Sequence, residues 1–179
     1  MSTRTLVTGG VRSGKSTYAE SLLSGAEHVT YIAPGPRADA VADPDWAARV
    51  AAHQRRRPAS WSTVETTDVA AALTAAPGPL LLDCLGTWLT AALDELEAWD
   101  APIAQWHDEL DLRVGALVAA WSSSAGPAVA VTNEVGLGVV PAHRSGRIFR
   151  DWLGVVNQRI ARGSDVVSLV VAGRVLHLP

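Results

Sequence analysis

The sequence has few cysteines, few lysines and no long apolar run. Its 179 residues include one cysteine, Cys84, which excludes an intramolecular disulfide and fits a reducing compartment. No stretch approaches the roughly 18 apolar residues of a membrane-spanning helix, and the first residues lack the apolar segment of a secretory signal. We therefore expect a cytoplasmic protein with no membrane span.

A strong charge of either sign is also missing. The formal net charge is −3, so there is no overall basic surface of the kind that binds nucleic acid, and no nucleic-acid partner is expected. Hydrophobic residues make up 48% of the chain, which excludes an intrinsically disordered protein. The length fits a single domain over residues 1–179.

Short apolar runs alternate with longer amphipathic stretches. This pattern predicts strands at 4–8, 28–32, 61–65, 79–83, 128–132, 166–171 and 174–178, and helices at 16–23, 46–53, 68–76, 88–96, 103–121 and 144–162. The alternation indicates a three-layer α/β domain whose sheet is mostly parallel, closed by a C-terminal antiparallel hairpin. Ligands of such sheets bind beyond the carboxyl ends of the strands, so the segments after Thr8, Ile32, Asp83 and Thr132 are expected to line the site.

The single lysine, Lys15, lies in a glycine-rich motif. Fourteen of the fifteen basic residues are arginine, so a lone lysine indicates a site where a compact ammonium is needed. Residues 9–16 match G-x-x-x-x-G-K-[ST] between a predicted strand and a predicted helix, and we call them the phosphate loop. Its backbone N–H groups would surround phosphate oxygens, Lys15 would reach the terminal phosphates, and Ser16 would ligate Mg²⁺. The alternative is a glycine-rich turn with an incidental lysine.

Asp83 ends an apolar strand, where a carboxylate can orient Mg²⁺. The alternative is an ordinary strand-end or helix-cap residue. Residues 83–86 also match the short D-x-x-G pattern of a GTPase switch, although the sequence has no N-K-x-D motif for reading the base.

His53 precedes three consecutive arginines. A solvated basic helix end with a surface histidine is one interpretation. In the other, the arginines bind a polyphosphate and His53 acts as a base or nucleophile, because nearby positive charge disfavours the imidazolium form.

Several segments together resemble one family. The similarity lies at residues 8–16, 31–33, 49–65, 83–89, 132–141 and 150–158. The chain resembles the bifunctional adenosylcobinamide kinase / adenosylcobinamide-phosphate guanylyltransferases of cobalamin biosynthesis, and the similar segments occur in order from the first predicted strand to the last predicted helix.

The resemblance implies a P-loop NTPase-like fold and two reactions at one nucleotide site. ATP or GTP phosphorylates adenosylcobinamide, and GMP is then transferred from GTP to that phosphate through a guanylylated histidine, which matches His53. Lys15 is the second implied catalytic residue, Mg²⁺ is the implied cofactor at Ser16 and Asp83, and the implied assembly is a homotrimer. The implied nucleotide-binding residues are Gly9, Gly10, Val11, Arg12, Ser13, Gly14, Lys15, Ser16, Pro34, Gly35, Pro36, Gln54, Arg55, Arg56, Arg57, Glu65 and Asp83.

Two other functions remain open from the residues alone. A simple small-molecule P-loop kinase would use His53 and the arginines only to bind phosphates. A GTP-binding switch module would hydrolyse GTP slowly and would move the segment around Asp83. The segment 133–141 belongs either to the corrinoid pocket or to a subunit interface.

Overall fold

A computed structural model describes residues 3–35, 44, 48, 50–51, 55 and 57–179. In this part of the chain the strands are β1 (Arg4–Gly9), β2 (Thr30–Ala33), β3 (Ser62–Glu65), β4 (Leu80–Asp83), β5 (Ala128–Val131), β6 (Val166–Val171) and β7 (Arg174–Leu178). The helices are α1 (Lys15–Leu22), α2 (Val69–Ala75), α3 (Leu85–Glu95), a 3-10 turn at Ile103–Gln105, α4 (His107–Ser122) and α5 (Arg144–Arg162).

The strands of the described residues form one sheet in the order β3-β2-β4-β5-β1-β6-β7. Every neighbouring pair is parallel except β6 and β7, which form an antiparallel hairpin. The predicted fold class, a mostly parallel α/β sheet with a closing hairpin, is therefore confirmed.

Alternate residues of the central strands pack into two separate cores. Leu80 and Leu82 of β4 contact the core formed by α2–α5, whereas Leu81 contacts the core that contains Ala19 of α1. Since successive side chains of a strand point to opposite faces, this division places α1 on one face of the sheet and α2–α5 on the other. A continuous apolar run such as 80–82 is the expected sequence of a strand buried on both faces.

Local sequence explains where the helices lie. Apolar side chains of α5 recur at Ile148, Trp152, Val156 and Ile160, which is helical spacing, and all four are buried. Helix α2 begins after Asp68, whose carboxylate accepts a hydrogen bond from the backbone N–H of Ala71 at 3.1 Å. None of the described helices is both long and apolar enough to cross a membrane.

Two predicted helices differ from the observed ones beyond a residue at an end. Helix α3 begins at Leu85 and not at Trp88, so only Cys84 lies between it and β4. The predicted helix 103–121 is divided at Trp106, whose indole N–H donates to the carbonyl of Ala101 at 3.3 Å. The predicted helix 46–53 lies largely outside the described residues; those described in its vicinity, at 44, 48, 50, 51 and 55, have helical backbone.

Candidate active site

The carboxyl ends of the parallel strands meet along one edge of the sheet. The pairing register aligns Val7 of β1 with Val131 of β5, and Val131 with Asp83 of β4. On the other side of β4, Ala33 pairs with Glu65 one residue beyond the Ile32–Leu82 pair. The residues that follow β1, β2, β4 and β5 therefore lie at one edge, as expected from the sequence.

The phosphate loop leaves β1 at this edge and leads into α1. Gly14 adopts a left-handed conformation with φ of 96°, which glycine adopts without the steric cost of a Cβ, and it forms the N-cap of α1. Arg12 is also left-handed, with φ of 56°, an uncommon conformation for a residue with a side chain. Such backbone is kept where the surroundings determine it, as they do in anion-binding loops.

The β6–β7 hairpin supports the phosphate loop from the side. The backbone N–H of Gly173, in the hairpin turn, donates to the carbonyl of Ser13 at 2.9 Å. A Cβ on Gly9 would collide with the carbonyl oxygen of Val170, so only glycine fits where β1 passes β6. This contribution of the hairpin was not predicted, although the glycine in its turn is a signal for a close backbone approach.

Lys15 is held inside the loop. Its side chain is buried, and its ammonium donates to the carbonyl of Gly10 at 3.1 Å. Burial lowers the pKa of Lys15 from its ordinary value, while the nearby Asp83 carboxylate acts in the opposite direction. Bound phosphates would add to the second effect, so the ammonium has an electrostatic preference for an anion in the loop.

Asp83 belongs to a cluster that joins three segments of the chain. The hydroxyl of Tyr31 donates to its carboxylate at 3.0 Å, and the guanidinium of Arg57 lies over the Tyr31 ring, 3.2 Å from the centroid. Arg57 also donates to the hydroxyl of Thr63 at 3.1 Å. Burial, with the nearby Asp83 carboxylate, raises the pKa of Tyr31, so its hydroxyl remains a donor. Tyr31 thereby connects the carboxylate of β4 to Arg57, the last of the three consecutive arginines.

The role of Tyr31 was missed from the sequence. It is buried, with 2% of its surface exposed, and a buried tyrosine hydroxyl usually has a hydrogen-bond partner. That rule was the available signal, but the partner depends on β2 lying beside β4, which the sequence does not show.

Buried polar atoms without partners lie near this edge. Among the described residues, these atoms are Thr8 Oγ1, Ser13 Oγ and Arg57 Nε. Unsatisfied buried groups are rare in folded proteins and call for an explanation, of which a bound ligand is one. Two of the three lie in or beside the phosphate loop, where phosphate oxygens would accept their hydrogen bonds.

The other predicted site residues are only partly brought together. Pro34 and Gly35 follow β2, and Glu65 ends the neighbouring β3 and is exposed. Arg55 is exposed and has helical backbone. Pro36, His53, Gln54 and Arg56 lie outside the described residues.

The donor set at the edge fits Mg²⁺. The described residues contain no cluster of three or more His, Cys, Asp or Glu side chains that could hold a metal ion alone. Mg²⁺ in phosphate-transfer sites is held by one or two protein oxygens together with phosphates and water, which Ser16 and Asp83 could provide. Cys84, next to Asp83, is less suited to chemistry because burial raises the pKa of its thiol.

The last part of the edge is the segment after β5. The backbone N–H of Glu134 donates to the carbonyl of Gly9 at 3.1 Å, which joins this segment to the phosphate loop. Asn157 of α5 accepts from Thr132 at 2.6 Å and donates to the carbonyl of Asn133 at 3.1 Å. The site therefore receives support from α5 as well as from the hairpin.

Three relatives match nearly the whole chain. The bifunctional adenosylcobalamin biosynthesis protein CobU of Salmonella typhimurium is 42% identical over 94% of this chain and 95% of its own length. The protein of the same name from Escherichia coli K12 is 38% identical over the same shares. The bifunctional adenosylcobalamin biosynthesis protein CobP of Pseudomonas aeruginosa is 37% identical over 95% of this chain and 94% of its own.

A family profile described as cobinamide kinase / cobinamide phosphate guanyltransferase matches residues 5–178. That range runs from β1 through β7 and includes the phosphate loop, the Tyr31–Asp83–Arg57 cluster and the segment after β5. The chain belongs to the cobinamide kinase / cobinamide phosphate guanyltransferase family.

Proposed function

We propose that this chain phosphorylates adenosylcobinamide with ATP or GTP, and then transfers GMP from GTP to the adenosylcobinamide phosphate. The product of the second reaction is adenosylcobinamide-GDP. Membership of the bifunctional kinase and guanyltransferase family supports both reactions. The structural observation that carries the proposal is the buried Lys15 in the phosphate loop at the start of α1, with Asp83 on the same edge of the sheet.

The phosphate loop would serve both reactions. In the kinase step, N–H groups of residues 9–16 and the Lys15 ammonium stabilise charge on the transferred γ-phosphoryl group. In the guanylyl step the same groups hold the departing pyrophosphate. The reactions differ in which phosphorus is attacked, so one loop suffices if two nucleophiles can reach it.

We assign Mg²⁺ to Ser16 and Asp83. When bound there, the ion would neutralise phosphate charge and orient the polyphosphate. Tyr31 contributes by donating to Asp83, which fixes the orientation of the carboxylate. Arg57 lies against the same ring, so a positive charge is held beside the acidic group.

His53 is proposed as the nucleophile of the guanylyl step. A neutral imidazole nitrogen attacks the α-phosphorus of GTP, the bond to the β-phosphate oxygen breaks, and pyrophosphate leaves. An oxygen of adenosylcobinamide phosphate then attacks the same phosphorus, and the P–N bond breaks to restore the histidine. His53 lies four residues before Arg57, whose stacking on Tyr31 anchors the end of this segment beside Asp83.

The remaining proposals concern nucleotide contacts, domain extent, cellular location and assembly. Nucleotide contacts are assigned to Pro34, Gly35, Pro36, Gln54, Arg55, Arg56, Arg57 and Glu65. The chain is proposed to act as one catalytic domain over residues 1–179, in the cytoplasm, as a homotrimer. Sedimentation equilibrium of the purified protein tests the last assignment directly.

The structure weakens the switch alternative. That function needs a movable segment around residues 83–86, but Leu85 and Gly86 are buried in the first turn of α3. A Cβ on Gly86 would lie 3.6 Å from side-chain atoms of Asn133 and Phe149, an ordinary van der Waals distance, so both side chains lie beside this turn.

The proposal is tested with GTP labelled at the α-phosphate. Wild-type protein is incubated with labelled GTP and Mg²⁺, denatured, and counted for label that stays on the chain. We expect acid-labile, alkali-stable label, which identifies a histidine phosphoramidate, and none from γ-labelled GTP. The variant His53→Ala should retain no label, whereas His28→Ala, which removes an exposed histidine, should label like wild type.

A protein that binds GTP but retains no α-label would contradict the guanylyl step. If it still transferred γ-phosphate to adenosylcobinamide, it would be a simple kinase. Equal labelling of His53→Ala and wild type would assign the nucleophile to another residue.

A further inference from the structure

The loop after β5 exposes three apolar side chains within four residues. Leu137, Val139 and Val140 have exposed fractions of 87%, 94% and 64%. Single exposed apolar residues are ordinary, but a concentrated group marks a surface that another molecule covers. We call residues 136–141 the apolar loop.

The backbone of the apolar loop is held by arginines of α5. Arg147 donates to the carbonyls of Pro141 at 3.0 Å and Ala142 at 2.7 Å, and Arg150 donates to that of Gly138 at 3.3 Å. At its start, the N–H of Gly136 donates to the Glu134 carboxylate at 2.6 Å. The loop is therefore tied at several points while its apolar side chains remain in solvent. An ordered apolar surface loses little conformational entropy when it binds.

The position of the apolar loop relative to the phosphates is also fixed. Glu134, two residues before it, donates its backbone N–H to Gly9 of the phosphate loop at 3.1 Å. An acceptor whose hydroxyl or phosphate reaches the reacting phosphorus must bring the rest of its body close to this edge of the sheet. The phosphate groups themselves have no apolar surface to offer such a loop, whereas an acceptor with an apolar body does.

We infer that Leu137, Val139 and Val140 form the surface on which the corrin ring of the acceptor rests. The inference rests on the proposed function, which supplies an acceptor with a broad, methyl-bearing macrocycle. Apolar side chains would cover the rim of that ring, while its amide arms stay in water. A second copy of this chain fits less well, because a stable interface takes about 800 Å² and 20–30 residues per partner. The apolar loop offers three side chains.

The test measures binding of adenosylcobinamide by equilibrium dialysis, read from the visible absorbance of the corrin. In the double variant Leu137→Ser/Val139→Ser we expect the dissociation constant to rise about tenfold or more, since two apolar contacts are lost. Labelling by α-labelled GTP should stay within about twofold of wild type, because no acceptor takes part. The matched control is Leu112→Ser on α4, which alters an exposed leucine outside the apolar loop, with 69% of its surface exposed.

Three results would overturn the inference. The first is an unchanged dissociation constant in the double variant. The second is that the double variant forms smaller species than wild type in sedimentation equilibrium, which would assign the loop to an interface with a second copy. The third is a wild-type protein that binds no adenosylcobinamide; retained α-label on His53 would then leave the guanylyl step standing while this surface fails. Weakened corrinoid binding without any α-label would support the surface and contradict the histidine mechanism.

Discussion

Lys15 shows how much can depend on one side chain. Lys15 is buried, and its ammonium donates to the Gly10 carbonyl, so the side chain is held within the loop. A guanidinium carries the same charge on a wide planar fork and is not interchangeable with an ammonium at such a site. The composition agrees, because all of the remaining basic residues, His aside, are arginine.

We predict that Lys15→Arg inactivates the enzyme nearly as much as Lys15→Ala does. Both should lower the rate of GMP transfer about 10²-fold or more, the usual loss when a group that stabilises transition-state charge is removed. The measurement is steady-state kinetics, with circular dichroism to show that both variants fold. Activity of Lys15→Arg close to wild type would mean that only charge is needed here.

Between elements, Tyr31 links β2 to β4 and to Arg57. Tyr31 donates to Asp83 and carries the Arg57 guanidinium on its ring. The hydroxyl and the ring therefore act on different partners. A phenylalanine at position 31 would distinguish the two roles, because it keeps the ring under Arg57 and removes only the hydroxyl that donates to Asp83.

We predict that Tyr31→Phe lowers the free energy of unfolding by about 1–2 kcal/mol, since the Asp83 carboxylate loses a buried hydrogen bond. The Mg²⁺ concentration needed for half-maximal GMP transfer should also rise, because Asp83 is less firmly oriented. Urea denaturation and a Mg²⁺ titration measure the two effects. Tyr18→Phe, at the other tyrosine, is the control. A Mg²⁺ requirement equal to wild type would show that Tyr31 does not position Asp83.

Elements with a strong local pattern were predictable. The hairpin β6–β7 lies at 166–171 and 174–178, as predicted, because Ala172-Gly173 supplies a two-residue turn between strand-like runs. Helix α3 was predicted three residues short, since Gly86 and Thr87 are poor helix formers in isolation. Burial of Leu85, Trp88 and Leu89 on this helix stabilises it tertiarily, and such packing can override local preference.

The site also divides into a part that a local sequence pattern predicts and a part that depends on tertiary structure. The phosphate loop is contiguous, so its motif identifies it directly. The Tyr31–Asp83–Arg57 cluster and the support from Gly173 join residues far apart in the chain, and they depend on the order of the strands. No local pattern contains that order.

At the scale of the whole molecule, the sheet is tied across a long stretch of sequence. Arg4, at the start of β1, donates its backbone N–H to the Asp165 carboxylate at 2.8 Å, and its guanidinium donates to the same carboxylate. Hydrogen bonds from Arg4 lower the pKa of Asp165 from its ordinary value of 3.8. A carboxyl group with a lowered pKa in the folded protein stabilises the fold only while it is ionised.

We predict that Asp165→Asn lowers the melting temperature at pH 7 and that the difference from wild type shrinks in acid. The contribution of Asp165 is fully present above pH 3.8, the ordinary value, and is lost as the pH falls through the lower value of the folded protein. Thermal unfolding at pH 7, 5 and 3 measures it. Asp100→Asn, at an exposed carboxylate, is the control. A difference that grows in acid would contradict the prediction.

The position of β1 has a consequence for synthesis on the ribosome. Both strands that flank β1 are made much later, β5 at 128–131 and β6 at 166–171. At a synthesis rate of roughly 5–20 residues per second, on the order of 10 s pass between the synthesis of β1 and that of β6. Until β5 and β6 have been made, the apolar residues and unpaired backbone of β1 are available to other proteins. The contact that supports Ser13 forms only after Gly173 has emerged, so the phosphate loop reaches its final structure when most of the sheet has already been synthesised.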